Sequence, residues 1–167
     1  MYFKGKAHKF GDDVNTDYII SGKYKFKTLD MKELAKHVME DLEPGFYQKV
    51  AVGDFIVAGS NFGCGSSREQ APLAIKYADV GAVLARSFAR IFYRNAINIG
   101  LPIFECPAGT EDIAEGTTLE IDVDSGVIRD LSTGKTYTAT PFPEFMQKVI
   151  KDGGLIEYVR EKVAKDE

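Results

Sequence analysis

Residues 55–85 read FIVAGSNFGCGSSREQAPLAIKYADVGAVLA, and this stretch determines the fold class. FIVAG (55–59) and VGAVLA (80–85) are short apolar runs next to glycines, which is typical of buried strands. Between them, alanines and an isoleucine recur at helical spacing, which predicts a helix through about Tyr77. A strand, a helix and a second strand in this order predict a parallel βαβ unit.

The rest of the chain extends this unit into a mixed α/β fold. Apolar and polar residues alternate over 117–139 around two glycine-containing turns, which is typical of antiparallel hairpins. The further predicted elements are a strand at 2–10, a helix from Asp30 through Leu42 with Glu33 as capping-box partner, a helix capped by Ser87 and ended by Gly100, a strand at 101–104, and helices at about 143–151 and 154–164. Because there is no repeat or linker, we expect one domain over residues 1–167.

The composition excludes several classes of protein. With 44% hydrophobic and 28% charged residues, the chain has the make-up of a globular protein and not of a disordered one. Its formal net charge of −4 gives no general attraction to nucleic acid or to an anionic membrane. There is no apolar run of membrane-spanning length and no signal-peptide pattern at the N-terminus, so we expect a cytoplasmic protein.

Few residues are available for metal chemistry. The chain has two cysteines, Cys64 and Cys106, and two histidines, His8 and His37. These do not provide the usual ligands of an iron–sulfur cluster or a structural zinc ion, so we expect no metal bound by this chain. Nothing in a cytoplasmic setting favours a disulfide between the two cysteines. We expect the histidines to be structural or exposed, and Cys64 to be a small residue packed in a turn.

NFGCGSSREQ (61–70) carries the strongest sign of a functional site. Ser66 precedes Glu69 by three residues and Ser67 precedes Gln70 by three, so either pair fits a helix capping box. Capping does not explain Arg68, because a cation in the first turn opposes the helix dipole. Glycines, amides at a helix start and an arginine together favour a site for a carboxylate or phosphate. Neither the P-loop pattern nor the serine nucleophile elbow matches.

Two other clusters admit more than one interpretation. The first cluster is Asn15-Thr16-Asp17 together with the basic, aromatic loop 23–28. It fits either a solvated turn and loop or the rim of a pocket that binds an acidic substrate. Arg86, Arg90 and Arg94 recur at four-residue spacing. They fit either the basic face of an amphipathic helix or a surface that meets an acidic ligand or partner.

Three segments together resemble one family. FGDDVNTDYII (10–20), VAGSNFGCGSSREQAP (57–72) and SFARIFYRNAINIGLP (87–102) are similar, in this order and spacing, to the small swivelling subunit of aconitase-like hydro-lyases of the 3-isopropylmalate dehydratase and homoaconitase group. The resemblance implies a three-layer β/β/α swivelling domain. It also implies a separate large subunit that holds a [4Fe–4S] cluster, in a heterodimer or heterotetramer, so that the active site lies between chains and this chain is inactive alone.

The resemblance assigns roles to four residues. Ser66 is implied as the catalytic base that takes a proton from the carbon beside a carboxylate while the hydroxyl group leaves. Ser67 and Arg68 match the substrate-binding pair of the family, with Arg68 forking onto a carboxylate. Asp17 matches an aspartate of the active site.

The resemblance also assigns substrate choice to the loop after TDYII. This specificity loop comprises Lys23, Tyr24, Lys25, Phe26, Lys27 and Thr28. A lysine there suits a third carboxylate, whereas Phe26 suits an alkyl group. We expect the branch that interconverts 2- and 3-isopropylmalate in leucine biosynthesis. The alternatives are a homoaconitase, a dehydratase acting on citramalate or dimethylmalate, and, outside enzymes, an anion-binding regulatory module.

Overall fold

The computed structural model describes residues 1–25 and 30–166, and its centre is a mixed sheet of seven strands. The strands are β1 (Tyr2–Lys9), β2 (Phe55–Ala58), β3 (Ala82–Ala85), β4 (Ile103–Glu105), β5 (Thr118–Asp122), β6 (Val127–Asp130) and β7 (Thr136–Thr138). The helices are α1 (Thr16–Ile19), α2 (Gly22–Lys25), α3 (Met31–Ala35), α4 (Phe46–Lys49), α5 (Gln70–Tyr77), α6 (Arg90–Asn98), α7 (Glu144–Lys151) and α8 (Leu155–Asp166). The strand order is β4-β3-β2-β1-β5-β6-β7.

One half of the sheet is parallel. β1 pairs with β2, β2 with β3 and β3 with β4, all in the parallel sense, and α5 and α6 provide the crossovers between β2, β3 and β4. Every residue of β2 and β3 is buried, as the continuous apolar runs predict. The predicted βαβ units are therefore confirmed, and the carboxyl ends of these strands meet at one edge of the sheet.

The other half of the sheet is antiparallel. β5 pairs with the free side of β1, and β6 and β7 follow as a meander. The turns between these strands use Gly126 (φ 76°) and Gly134 (φ 78°), both in the left-handed region that glycine adopts without steric cost. This confirms the hairpins predicted over 117–139. β1 is the strand that joins the two halves.

Two predicted helix boundaries are wrong. The helix capped by Asp30, whose side chain accepts the Lys32 amide, ends at Ala35 and does not reach Leu42. After Ala35 the amides of residues 36–38 bond to carbonyls three residues back instead of four, and Met39, with a left-handed φ of 57°, donates its amide to the Ile19 carbonyl, which docks this segment on α1. Ser87 does not cap α6: its Oγ accepts the Asn61 amide, and α6 begins after Ala89.

The histidines and cysteines are placed as expected. His8 is buried, and its Nε2 lies 2.8 Å from Asp54 Oδ2, which is a structural contact. His37 follows α3 and pairs with Glu40. Cys64 and Cys106 are both free thiols. Among the described residues, no helix combines the length and apolarity needed to cross a membrane.

Candidate active site

Two loops lie side by side beyond the carboxyl ends of β1 and β2. The Gly63 amide donates to the Val14 carbonyl at 2.7 Å, and the Thr16 amide donates to the Cys64 carbonyl at 2.9 Å. These bonds continue the parallel pairing of β1 and β2 past the ends of both strands. Open α/β sheets bind ligands at this edge, so the loops occupy the position where a site is expected.

A side-chain bond fixes the backbone at Ser66. The Oγ1 of Thr16, which is 2% exposed, donates to the carbonyl of Ser66 at 2.6 Å. Asn15 caps α1 by accepting the Tyr18 amide, so the donor itself sits on an anchored turn. Thr16 therefore holds the position of Ser66, a role that the sequence did not suggest.

Glycine at position 63 is required by close packing. Gly63 has a φ of 85°, and a Cβ built there would lie 2.2 Å from Cγ of Phe92 in α6. Gly65 has a φ of 89° and would place a Cβ 3.3 Å from Asn15. The two glycines let the loop lie directly against α6 on one side and the segment before α1 on the other.

Arg68 is held in place by the segment that contains α1. Its guanidinium forms an ion pair with Asp17 and donates to the Ile20 carbonyl at 3.4 Å. The backbone at Gly22 passes so close that a Cβ there would lie 3.2 Å from the Arg68 Nη1. The structure therefore brings together Asp17 and Arg68, two residues that the family resemblance assigned to one site.

These elements enclose a cleft of about 360 Å³, called here the α6 cleft. Its lining includes Ser67 and Arg68 from the loop and Arg90 and Asn95 from α6. Ser66 is exposed to solvent between two residues of this lining, Gly65 and Ser67. The arrangement offers two guanidinium groups and hydroxyl groups to a carboxylate ligand.

Arg90 and Asn95 were not proposed as site residues from the sequence. The repeat of Arg86, Arg90 and Arg94 was the available signal, but it does not form one face. Arg86 precedes α6 and pairs with Glu111 at 2.7 Å, whereas Arg90 is the first residue of α6 and reaches the cleft.

The predicted capping boxes are wrong. α5 begins at Gln70, its N-cap is Glu69 in a helical conformation, and no side chain caps it. Ser66 and Ser67 lie upstream in the loop, because the Thr16 bond and the Asp17–Arg68 pair keep residues 66–68 out of the helix. The first amides of α5 are therefore separated in sequence from Ser66, which weakens any support that they give to an anion of this serine.

Cys64 lacks the environment of a reactive thiol. Burial raises its pKa above the ordinary value, and the carboxylate of Asp13 raises the pKa further. The thiol therefore stays protonated at neutral pH, which disfavours a role as nucleophile.

Only the start of the specificity loop lies within the described residues. The Tyr24 ring stacks on His37 with centroids 3.7 Å apart, and the Lys23 ammonium lies 5.0 Å from the Tyr24 ring centre. A hydrogen bond with Glu40 raises the pKa of Tyr24, with a further contribution from burial. Phe26, Lys27 and Thr28 and the side chain of Lys25 lie outside the described residues.

The described residues contain no group of three or more His, Cys, Asp or Glu side chains arranged to hold a metal ion. The lining of the α6 cleft combines two arginines, two hydroxyl side chains and two asparagines with apolar side chains of α6 such as Ile91 and Phe92.

Comparison with known proteins identifies relatives over the full length. Residues 24–108 match the family model of the aconitase C-terminal domain. The chain is 57% identical over 166 residues to the 3-isopropylmalate dehydratase small subunit of Caldicellulosiruptor bescii, with 99% of each chain covered. It is 56% identical over 165 residues to the protein of that name from Aquifex aeolicus, with 98% of each covered. A crystal structure of 3-isopropylmalate dehydratase from Methanocaldococcus jannaschii matches with a TM-score of 0.94 at 48% identity, covering 99% of this chain and 98% of that one. This likeness confirms the predicted fold class.

Proposed function

Because this chain belongs to the aconitase C-terminal domain family, we propose that it is the small subunit of a 3-isopropylmalate dehydratase, a hydro-lyase of leucine biosynthesis. The observation that carries the proposal is the 57% identity to a small subunit of that name across 99% of both chains. The α6 cleft supports it, because its charged and hydroxyl groups suit a dicarboxylate.

Arg68 binds a substrate carboxylate in this proposal. A guanidinium has five N–H donors, and the contacts with Asp17 and the Ile20 carbonyl engage only part of them. The remaining donors belong to a group that is already oriented, so little side-chain freedom is lost when a carboxylate binds. Asp17 acts as a positioning residue for Arg68, and the neighbouring Ser67 supplies a hydroxyl to the same cleft.

Ser66 acts as the base. Its Oγ takes the proton from the carbon beside the carboxylate, the hydroxyl group leaves from the adjacent carbon, and a double bond forms. Return of a proton to the carbon that lost the hydroxyl group and of hydroxide to the carbon that lost the proton, one water in all, gives the isomeric hydroxy acid. Serine is a weak base unless its anion is stabilised. In this proposal the guanidinium of Arg68, two residues along the same loop, stabilises the anion, since α5 begins beyond the serine.

The iron–sulfur cluster belongs to the large subunit in this proposal. Bound there, the cluster would supply a Lewis acid for the substrate hydroxyl. The described residues of this chain contain no ligand set for it. The small subunit contributes the base, binds the carboxylate and covers the site. We place the assembly in the cytoplasm and treat residues 1–167 as one swivelling domain.

The start of the specificity loop is braced by the stack of Tyr24 on His37. We propose that the specificity loop contacts the substrate group that differs between family members. An alkyl group next to Phe26 corresponds to isopropylmalate, and a carboxylate next to Lys25 or Lys27 corresponds to homoaconitate.

Anaerobic reconstitution with the large subunit from the same source tests the proposal. Turnover of isopropylmalate should exceed turnover of homoaconitate, citrate, citramalate and dimethylmalate. Ser66→Ala should lower kcat by about 10²–10⁴-fold, as for loss of an acid–base group, and the exposed turn residue Ser132 offers a matched control in Ser132→Ala. Activity of this chain without a partner, or near-normal turnover of Ser66→Ala, would contradict the mechanism.

A further inference from the structure

A second cavity adjoins the α6 cleft. It has a volume of about 460 Å³ and follows another face of α6, where α7 and α8 pack against that helix. We call it the α6–α7 groove. Most of its lining is apolar, including Tyr93, Ile97, Phe145, Met146, Val149 and Leu155, and its charged members are Arg90, Arg94 and Glu105. Phe145 is 54% exposed, so a large apolar ring at the groove is left in contact with water.

Two arginines border this groove. Arg90 and Arg94 are exposed, lie one helical turn apart and both line it. Across residues 1–25 and 30–166, neither has an ion-pair partner, and the same holds for Arg129 on β6, whereas Arg68, Arg86 and Arg160 each pair with an acid. The chain as a whole carries a net charge of −4. A free pair of cations beside exposed apolar surface therefore suits an acidic partner with apolar side chains.

The groove and the cleft are continuous through Arg90, which lines both cavities. Ile91, 54% exposed, adds an apolar side chain on the cleft side. A chain that closes the cleft has to cover Arg90, and from there it reaches Arg94 and Phe145. Because the groove adjoins the cleft, the chain that covers the cleft is also the chain expected to occupy the groove.

We propose that the α6–α7 groove, with Arg90 and Arg94, is the docking surface for the large iron–sulfur subunit. That subunit inserts apolar side chains into the groove and presents carboxylates to the two arginines. The inference rests on the proposed function, because it takes the partner from there and adds the surface that binds it.

The test separates assembly from catalysis. Arg94→Glu and Phe145→Ala are suitable variants, because both residues line the groove and neither lines the cleft. Arg129→Glu and Tyr2→Ala are matched controls at exposed positions on β6 and β1. The large subunit is titrated with each variant while activity is followed, which gives an apparent Kd and a kcat at saturation. Thermal unfolding of each isolated variant checks the fold.

Each groove variant should raise the apparent Kd by roughly tenfold or more, as for residues central to an interface, with kcat at saturation unchanged. Added salt should weaken assembly of the unaltered chain more than that of Arg94→Glu. If the groove variants assemble as tightly as the controls while the unaltered pair is active, the docking surface is refuted and the proposed function stands. If no active pair forms, the proposed function fails and the docking surface with it. The inference would also be overturned if sedimentation showed that a second copy of this chain binds at the groove.

Discussion

Replacing Thr16 by valine should impair catalysis far more than stability. The hydroxyl of Thr16 donates to the Ser66 carbonyl at 2.6 Å, and valine puts a methyl group in its place. A carbon–oxygen contact needs about 3.3–3.6 Å, so the carbonyl has to move by roughly 0.7–1 Å. A displacement of about 1 Å at a reacting group can cost on the order of 10²-fold in rate. We expect kcat of Thr16→Val, assembled with the large subunit, to fall by roughly 10–100-fold.

The stability cost should be small enough to leave the protein folded. A lost hydrogen bond that leaves one partner unsatisfied costs about 1–3 kcal/mol, and this bond is only partly buried, so we expect about 1–2 kcal/mol. That is a fraction of the roughly 5–15 kcal/mol that stabilises a typical domain. Urea denaturation of the isolated chain measures this free energy of unfolding.

Thr16→Ser is the matched control. It keeps the donor and removes a buried methyl group, which costs about 1 kcal/mol of packing. Its stability should therefore resemble that of Thr16→Val, while its turnover should stay near normal. If the serine variant lost as much turnover as the valine variant, or if Thr16→Val kept full turnover, the bond to Ser66 would not position the base.

Three further predictions concern the loop and the core. Gly63→Ala should destabilise the chain by more than about 2 kcal/mol, because the new Cβ clashes with Phe92 and the φ of this position is unfavourable for alanine. Gly116→Ala, with a φ of 79° and no neighbour within 4 Å, should cost only about 1 kcal/mol. Equal losses of stability in urea denaturation would refute the steric argument. Burial raises the pKa of Asp54, but hydrogen bonds from His8 and from the Lys6 and Ala51 amides outweigh it and hold the pKa below its usual range. The resulting stabilisation is complete above the unfolded-state pKa of about 3.9 and is lost as pH falls through the lower folded pKa, so Asp54→Asn should flatten stability against pH below about pH 5. Cys64→Ser should keep turnover within about twofold, because burial and Asp13 raise the pKa of the thiol and leave it unreactive; rapid inactivation by iodoacetamide at pH 7, with protection by Cys64→Ser, would argue against this.

Short-range patterns predicted the regular elements well but misplaced some of their ends. The strands β2 and β3 and the helix α5 follow from local apolar spacing, because burial on one face or both faces determines that spacing. The capping boxes at Ser66 and Ser67 failed for the opposite reason. Contacts from Thr16 and Asp17 hold that loop, and nothing in the local pattern encodes them.

The sequence by itself determined the fold class and the family resemblance, and it led to the prediction that the loop NFGCGSSREQ is the principal site. These depend on residue types at short spacing, where periodicity and backbone preference act directly. The tertiary structure decided what this loop contacts: Thr16 bonds to Ser66 across 50 residues, Asp17 pairs with Arg68, and Arg90 of α6 enters the cleft. Such contacts depend on how the carboxyl ends of parallel strands come together at one edge of the sheet, and no local pattern specifies that arrangement.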